Sequence, residues 1–451
     1  MPVLMISVSG IRGIVGNGLD PATIVKYTSA YADFCGEGPI VIGSDGRISG
    51  SMVKNIIVGT LQAKGNDVVD LGICPTPTVL FNVKKINASG GISISASHNP
   101  NEWNALKLLN NSGEFMTPEQ NKQMIDNLEE SVSKYKVWNE LGKYQFLDEG
   151  LNNHIKEVLA LNVIDVDAIR RKRFKVLLDC VNGAGSYSMP LILEKLGCKV
   201  TRIGCEKTGI FPRLPEPIPE NLTETMEAVK NSDVDLGIVV DPDVDRLVLL
   251  TEDGEPFGEE NTITQAVKFI LSKEKGNVVV NLSTTRAVDD VVKEFDCKVY
   301  RSPVGEANVV KVMKEVDAVI GGEGSGGVIY PALQYGRDAL VGTAITLQHL
   351  LEFRGKMSEL KKSLPEYFIA KRKIEIGDSN PDSIIKHLTR KYADEMINEE
   401  DGLRIDFSDH WVHFRKSNTE PIIRCIAEAK TEEAANKYAD DYLAEVKKMG
   451  S

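Results

Sequence analysis

Residues 39–47 and 51–72, PIVIGSDGR and SMVKNIIVGTLQAKGNDVVDLG, read as a strand, a polar turn, an amphipathic helix and a second strand. The first run is apolar without alternation, as in a strand covered on both faces of a parallel or mixed sheet. The same order returns in FKVLLDCVNGAG and SYSMPLILEKLGCKVTRIG (174–185, 186–204), and again in GNVVVNLSTTR and RAVDDVVKEFDCKVYRS (276–286, 286–302). Each unit adds another apolar strand that ends in a chemically rich loop: GISISASHNP (91–100), LGIVVDPDVDR (236–246) and DAVIGGEGSGG (317–327). Open α/β sheets present ligand loops beyond the carboxyl ends of their strands, so three such loops predict one shared central cleft.

After residue 366 the pattern changes. A strand reading WVHFRKSNTEPIIRCIAEA (411–429) and a charged helix TEEAANKYADDYLAEVKKM (431–449) predict a smaller α+β domain. The expected fold is therefore α/β, with three similar mixed-sheet domains at 1–148, 149–252 and 253–366 and a C-terminal α+β domain at 367–451. A chain of 451 residues needs such a division, because single cores stop growing near roughly 250–300 residues.

Composition is that of a soluble protein, with 42% hydrophobic and 26% charged residues, and no apolar run approaches the ~20 residues of a membrane span. The start, MPVLMISVSGIRGIVG, lacks a basic flank and runs into a Gly-Arg-Gly loop, unlike a signal peptide. Seven scattered cysteines without CxxC spacing read as reduced structural thiols, and the expected location is the cytoplasm. A net charge of -12 argues against nucleic acid as partner. It leaves room for a small anion, since a local Arg/Lys cluster outweighs distant acids beyond a Debye length of ~8 Å.

In DPDVDR, the carboxylates of Asp241, Asp243 and Asp245 stand at i, i+2 and i+4 after a buried strand. They repel one another unless a cation neutralises them, and hard Mg²⁺ suits carboxylate oxygens; a solvated acidic turn is the bland alternative. A calcium loop ending at Glu252 is disfavoured because Arg246 stands where that loop needs glycine. A phosphatase with Asp241 as nucleophile also stays open. RKSNTEP offers Arg415, Ser417, Asn418 and Thr419, with Arg424 on the following strand, and suits either a phosphate or a plain polar turn. GGEGSGG offers Glu323 and Ser325 to sugar hydroxyls and lets backbone approach a ligand closely. Arg12 in SGIRG, Arg47 in SDGR, His98 in ASHNP and Lys107 in NEWNALK gain weight only in combination; ASHNP itself reads first as a strand-end turn.

Taken together and in order, ASHNP with a lysine ten residues on, DPDVDR, GEGSGG and RKSNTEP resemble the α-D-phosphohexomutase superfamily along essentially the whole chain. The resemblance implies four domains around one cleft. It also implies a phosphoserine carrier at Ser97, a Mg²⁺ site made by Ser97 through its phosphate together with Asp241, Asp243 and Asp245, and Arg246 near the transferring group. Arg12, His98 and Lys107 would line the reacting centre, with Lys107 as general acid/base. Glu323 and Ser325 would read sugar hydroxyls, and Arg415, Ser417, Asn418, Thr419 and Arg424 would hold the non-reacting phosphate. The implied reaction interconverts hexose 6- and 1-phosphates through a bisphosphorylated sugar, with hexose 1,6-bisphosphate as activator; the expected partner is a small-molecule phosphosugar, with neither nucleic acid nor membrane, and the expected assembly a monomer or homodimer.

This chain departs from many phosphomannomutase/phosphoglucomutase members at Gly327, where they carry histidine, and at Glu306 in PVGEAN. Its GGEGSGGVIYP form resembles phosphoglucosamine mutases of the archaeal-like kind, which points to glucosamine 6-phosphate. Phosphoglucomutase or phosphomannomutase activity is the alternative, and a non-catalytic sugar-phosphate binding protein a remoter one.

Overall fold

The computed structural model describes residues 3–7, 10–132, 134–375, 380–416 and 422–450. Three α/β sheets and one antiparallel sheet follow one another along the chain. In the first α/β unit the strands lie in the order Val68–Ile73, Ile40–Ser44, Gly90–Ile94 and Trp103–Leu109, the last antiparallel. The second repeats this order with Lys199–Ile203, Lys175–Asp179, Leu236–Val240 and Leu247–Thr251. The third repeats it with Val299–Ser302, Asn277–Asn281, Ala318–Glu323 and Gly327–Ile329. In every unit the chemistry-bearing loop thus joins the third strand to its antiparallel neighbour, at the carboxyl end where α/β sheets bind ligands.

The first sheet grows to eight strands by adding Leu4–Ser7, Gly10–Val15 and Gly18–Leu19 on one side and Tyr144–Phe146 on the other. The segment expected as a Gly-Arg-Gly loop is therefore a strand, with Arg12 opposite Ala105. Only glycine permits this pairing: Gly10 has a φ of +107°, and a Cβ there would sit 2.0 Å from the Leu106 carbonyl oxygen. Alternation sends Ile42, Ile92 and Ile94 into one core layer and Val41 and Leu109 into another, so both faces of this sheet are covered. The second and third units share one contiguous apolar cluster, to which the helices Glu259–Lys273 and Ala339–Phe353 contribute Ile263, Val267, Leu340 and Leu347. Each fully buried aliphatic side chain there contributes roughly 1.5–3 kcal/mol, so this shared core packs the two units against each other.

The C-terminal sheet is antiparallel, in the order Phe368–Glu375, Ile422–Ala429, His410–Lys416, Leu403–Asp406 and Met396–Asn398, flanked by the helices Pro381–Lys391 and Glu432–Gly450. The stretch 411–429, read from sequence as a strand with a polar turn inside it, is two paired strands, with Arg424 on the second; residues 417–421 between them lie outside the described residues. This domain docks on the third unit. The Arg286 guanidinium donates to Asp406 and to the carbonyls of Phe407 and His410, the Arg286 N–H donates to Glu428, and the Val304 N–H donates to Asp401. Among the described residues no helix is long and apolar enough to cross a membrane, and the seven cysteines are all free thiols.

Candidate active site

ASHNP follows the strand Gly90–Ile94, and its turn carries Ser97 at a φ of +50°, a left-handed conformation that costs a non-glycine residue roughly 1–2 kcal/mol. Arg47 holds it there. One NH group donates to the carbonyls of Ser97 (2.6 Å) and Asn99 (2.7 Å), and the other to Pro100 (2.5 Å) and Trp103 (3.1 Å). Buried Asp45 takes the Arg47 Nε and the Ser95 hydroxyl, and Ser95 Oγ in turn accepts the Ser97 N–H. Ser95 thus braces the turn, and the Ser97 hydroxyl is left to face outward from its own domain.

That hydroxyl meets the second unit: Ser97 Oγ donates to Asp241 Oδ2 at 3.0 Å. DPDVDR is itself tightly turned, with Val244 at a φ of +62°, an unusual state for a β-branched residue. The preceding turn of the same unit supports it, since a Cβ on Gly183 would lie 2.6 Å from Pro242 and the Ala184 N–H donates to the Pro242 carbonyl. Asp241, Asp243 and Asp245 are all buried, and their carboxylates lie within 4.8 Å of one another.

The three are not equivalent. Asp241 Oδ1 accepts the N–H groups of Asp245 and Arg246, whereas Asp243 Oδ1 and Asp245 Oδ1 are buried without a partner. Two orphaned anionic oxygens in one spot are costly unless a cation takes them. Burial and the neighbouring Asp245 and Asp243 push Asp241 well above the usual carboxylate range, a shift a divalent cation would reverse. The residues therefore form a group that could hold a metal ion, and an all-oxygen set fits Mg²⁺. Glu252 instead accepts from Ser358, away from this group.

Lys107 lies against the same cluster, with its Nζ 2.5 Å from Asp243 Oδ2 and 3.3 Å from Asp245 Oδ2. Burial works against its charge, but the two aspartates outweigh it and hold the ammonium above its ordinary pKa. His98 differs: burial, then Arg246 and Arg12, push it down to about 3, so it is a neutral imidazole with Nδ1 3.3 Å from Ser97 Oγ. Arg12 donates to Asn99 of the serine turn at 2.7 Å. Arg246 Nε is buried without a partner.

From the third unit, Glu323 ends the strand Ala318–Glu323 and accepts from Asn281, the Gly305 N–H and Arg337. Ser325 is half-buried in the turn that follows. In the C-terminal domain Arg415 pairs with Asp401 at 2.9 Å, and exposed Arg424 stands opposite Arg415 in the ladder. Ser417, Asn418 and Thr419 lie outside the described residues.

Two contacts at the cluster carry no sequence signal. Thr76, in CPTPT, donates its hydroxyl to Asp243 Oδ2, and its N–H donates to the Asp243 carbonyl. Arg337, in YGRDAL, reaches Asp245 from the third unit. Both lie far along the chain from their partners, so no spacing rule marks them.

A serine hydroxyl set against a buried carboxylate cluster, with a lysine and two arginines around it, is an arrangement that suits phosphoryl transfer. Family comparison assigns residues 5–135, 152–254 and 260–368 to α/β/α domains I, II and III of phosphoglucomutase/phosphomannomutase, and residues 370–445 to its C-terminal domain. The chain is 33% identical over 441 residues to a protein of Methanopyrus kandleri named a probable phosphoglucosamine mutase, covering 96% of each chain. It is 36% identical over 441 residues to a phosphoglucomutase/phosphomannomutase of Thermococcus kodakarensis, again covering 96% of each. A crystal structure of a phosphoglucomutase/phosphomannomutase family protein from Burkholderia thailandensis matches its fold with a TM-score of 0.85 at 24% identity, over 99% of this chain and 98% of that one. The chain belongs to the phosphoglucomutase/phosphomannomutase family of the α-D-phosphohexomutase superfamily, and it is an isomerase.

Proposed function

We propose that this phosphohexomutase interconverts glucosamine 6-phosphate and glucosamine 1-phosphate through a phosphoserine at Ser97 and a bisphosphorylated sugar. The observation that carries the phosphoserine is the approach of Ser97 Oγ to Asp241, across a domain boundary and into a cluster with two orphaned oxygens. The sugar is supported by the relative from Methanopyrus kandleri and by the GGEGSGGVIYP loop. The relative from Thermococcus kodakarensis favours a second reading, in which glucose or mannose phosphates are the substrates.

In the forward step the Ser97 Oγ–phosphorus bond breaks and the phosphorus–oxygen bond to a sugar hydroxyl forms. Lys107 gives a proton to the departing Oγ and regains one from the attacking hydroxyl, so the proton count closes. Ser97 then recovers a phosphoryl group from the other end of the sugar. Uncatalysed phosphate-monoester cleavage is among the slowest of reactions, so in-line positioning and charge neutralisation carry most of the acceleration. Mg²⁺ held by Asp241, Asp243 and Asp245 would supply much of that neutralisation. Arg246 and Arg12 add fixed positive charge, and neutral His98 offers Oγ a hydrogen-bond partner without competing for the phosphoryl group. Glu323 and Ser325 would orient the sugar, and Arg415, Ser417, Asn418, Thr419 and Arg424 would hold its other phosphate. Hexose 1,6-bisphosphate would start the cycle by phosphorylating Ser97.

The test is parallel turnover of the 6-phosphates of glucosamine, glucose and mannose with Mg²⁺ and a trace of hexose 1,6-bisphosphate. Glucosamine 6-phosphate should show the highest kcat/KM. A higher value for glucose or mannose selects the second reading, and no 1-phosphate from any of the three sinks the mutase reading.

Arg47 supplies a further prediction, because it touches no reacting atom yet fixes the turn. Arg47→Met should lower kcat roughly 10²-fold, the effect of a small misplacement of the nucleophile, while KM for the sugar phosphate changes little. Steady-state kinetics with the phosphorylated variant would check it.

A further inference from the structure

Arg337 stands in the loop between the strand Gly327–Ile329 and the helix Ala339–Phe353, and its side chain is only 13% exposed. Its guanidinium meets three carboxylates. Nε donates to Glu306 Oε2 at 2.9 Å, one NH group to Glu323 Oε2 at 2.8 Å and the other to Asp245 Oδ2 at 2.8 Å. Burial disfavours the charge, but Asp245, Glu323 and Glu306 hold it and keep the guanidinium's pKa well above its ordinary value. The flat fork of an arginine can serve three acids in one plane; a lysine ammonium is a single point charge on a flexible stem.

Room for it comes from Gly327. A Cβ on that residue would lie 2.3 Å from Arg337 Cδ and 3.0 Å from Cγ, so the missing side chain leaves the space the arginine stem fills. The three acids come from separate places: Asp245 from the aspartate loop of the second unit, Glu323 from the glycine-rich loop of the third, and Glu306 from the start of the helix Glu306–Glu315. At Asp245 the pairing matters further. With Oδ2 fixed by Arg337 and Lys107, the orphaned Oδ1 is set in one orientation.

We propose that Arg337 is a positioning residue that couples the two loops, setting Asp245 Oδ1 for a divalent cation and the Glu323 carboxylate for the sugar, so that cation and sugar phosphate strengthen each other's binding. The sugar half rests on the mutase reading above; the cation half does not. Because coupling is reciprocal, each ligand must raise the affinity of the other by the same factor.

The experiment titrates the full-length unphosphorylated protein with Mn²⁺, read by electron paramagnetic resonance, with and without saturating glucosamine 6-phosphate. The wild type should bind Mn²⁺ at least ~5-fold more tightly with the sugar phosphate present. Arg337→Met should weaken Mn²⁺ binding ~10-fold and erase the enhancement. Gly327→Ala keeps the guanidinium but pushes its stem aside, and should erase the enhancement as well; it decides the matter if Arg337→Met does not fold. An enhancement kept within two-fold of the wild type in whichever of these variants folds would make Arg337 a mere brace and overturn the proposal, whatever happens to Tm. No enhancement in the wild type would overturn the coupling too, and the turnover panel above then tells whether the mutase reading falls with it.

Discussion

Ser97→Ala is expected to lower interconversion by at least roughly 10³-fold, the scale seen when a nucleophile is removed, while sugar-phosphate binding stays close to that of the wild type. The loss follows from what the hydroxyl is placed to do. Its Oγ is the atom of the ASHNP turn that reaches Asp241, and the rest of the turn is held by Arg47 through backbone carbonyls, which alanine also has. The left-handed backbone at residue 97 costs serine and alanine alike, so the variant should keep its fold and a Tm near that of the wild type. Activity in both directions, together with binding of glucosamine 6-phosphate by calorimetry, checks the two halves. A variant with full turnover would remove the phosphoserine from the account.

The second large effect is expected at Asp243. Its Oδ2 receives Lys107 and Thr76 and its Oδ1 is orphaned, so the residue both anchors the lysine and presents an oxygen for the cation. In Asp243→Asn one oxygen becomes an NH₂ group and the negative charge is lost. Turnover should fall by more than ~10²-fold, and the Mg²⁺ concentration giving half-maximal rate should rise more than ~10-fold. Stability should fall as well. Lys107 and Thr76 hold the buried Asp243 carboxylate below its ordinary pKa, so its charge stabilises the fold and neutralising it leaves Lys107 short of a partner; Tm without Mg²⁺ should drop, and the extra stabilisation by added Mg²⁺ should shrink. Mg²⁺ titrations of rate and of Tm measure both.

The architecture could be read from the chain because its units repeat a physical pattern: unbroken apolar strands, amphipathic helices, and reactive loops after every third strand. The same regularity located Ser97, the three aspartates and Glu323, since each stands where a strand ends. What the sequence hid depends on contacts between segments far apart along the chain. Gly10–Val15 resembled a loop because of its glycines, yet those glycines are what let the strand lie against Trp103–Leu109. Arg47 had no weight by itself in the sequence because nothing local shows that four carbonyls of a turn some 50 residues away will surround it. Arg337 was invisible for a subtler reason: it needs the absence of a side chain at Gly327, and an absence has no composition or period. Gly327 itself was noticed as a departure, and Arg337 fills the space it leaves.

The most direct test of the central claim is to incubate the protein with hexose 1,6-bisphosphate carrying labelled phosphoryl groups and Mg²⁺, then map the label by peptide mass spectrometry. The account predicts one phosphoryl group per chain on Ser97, lost again when a hexose 6-phosphate is added. Stable label on Asp241, with Ser97 unmodified, would contradict it.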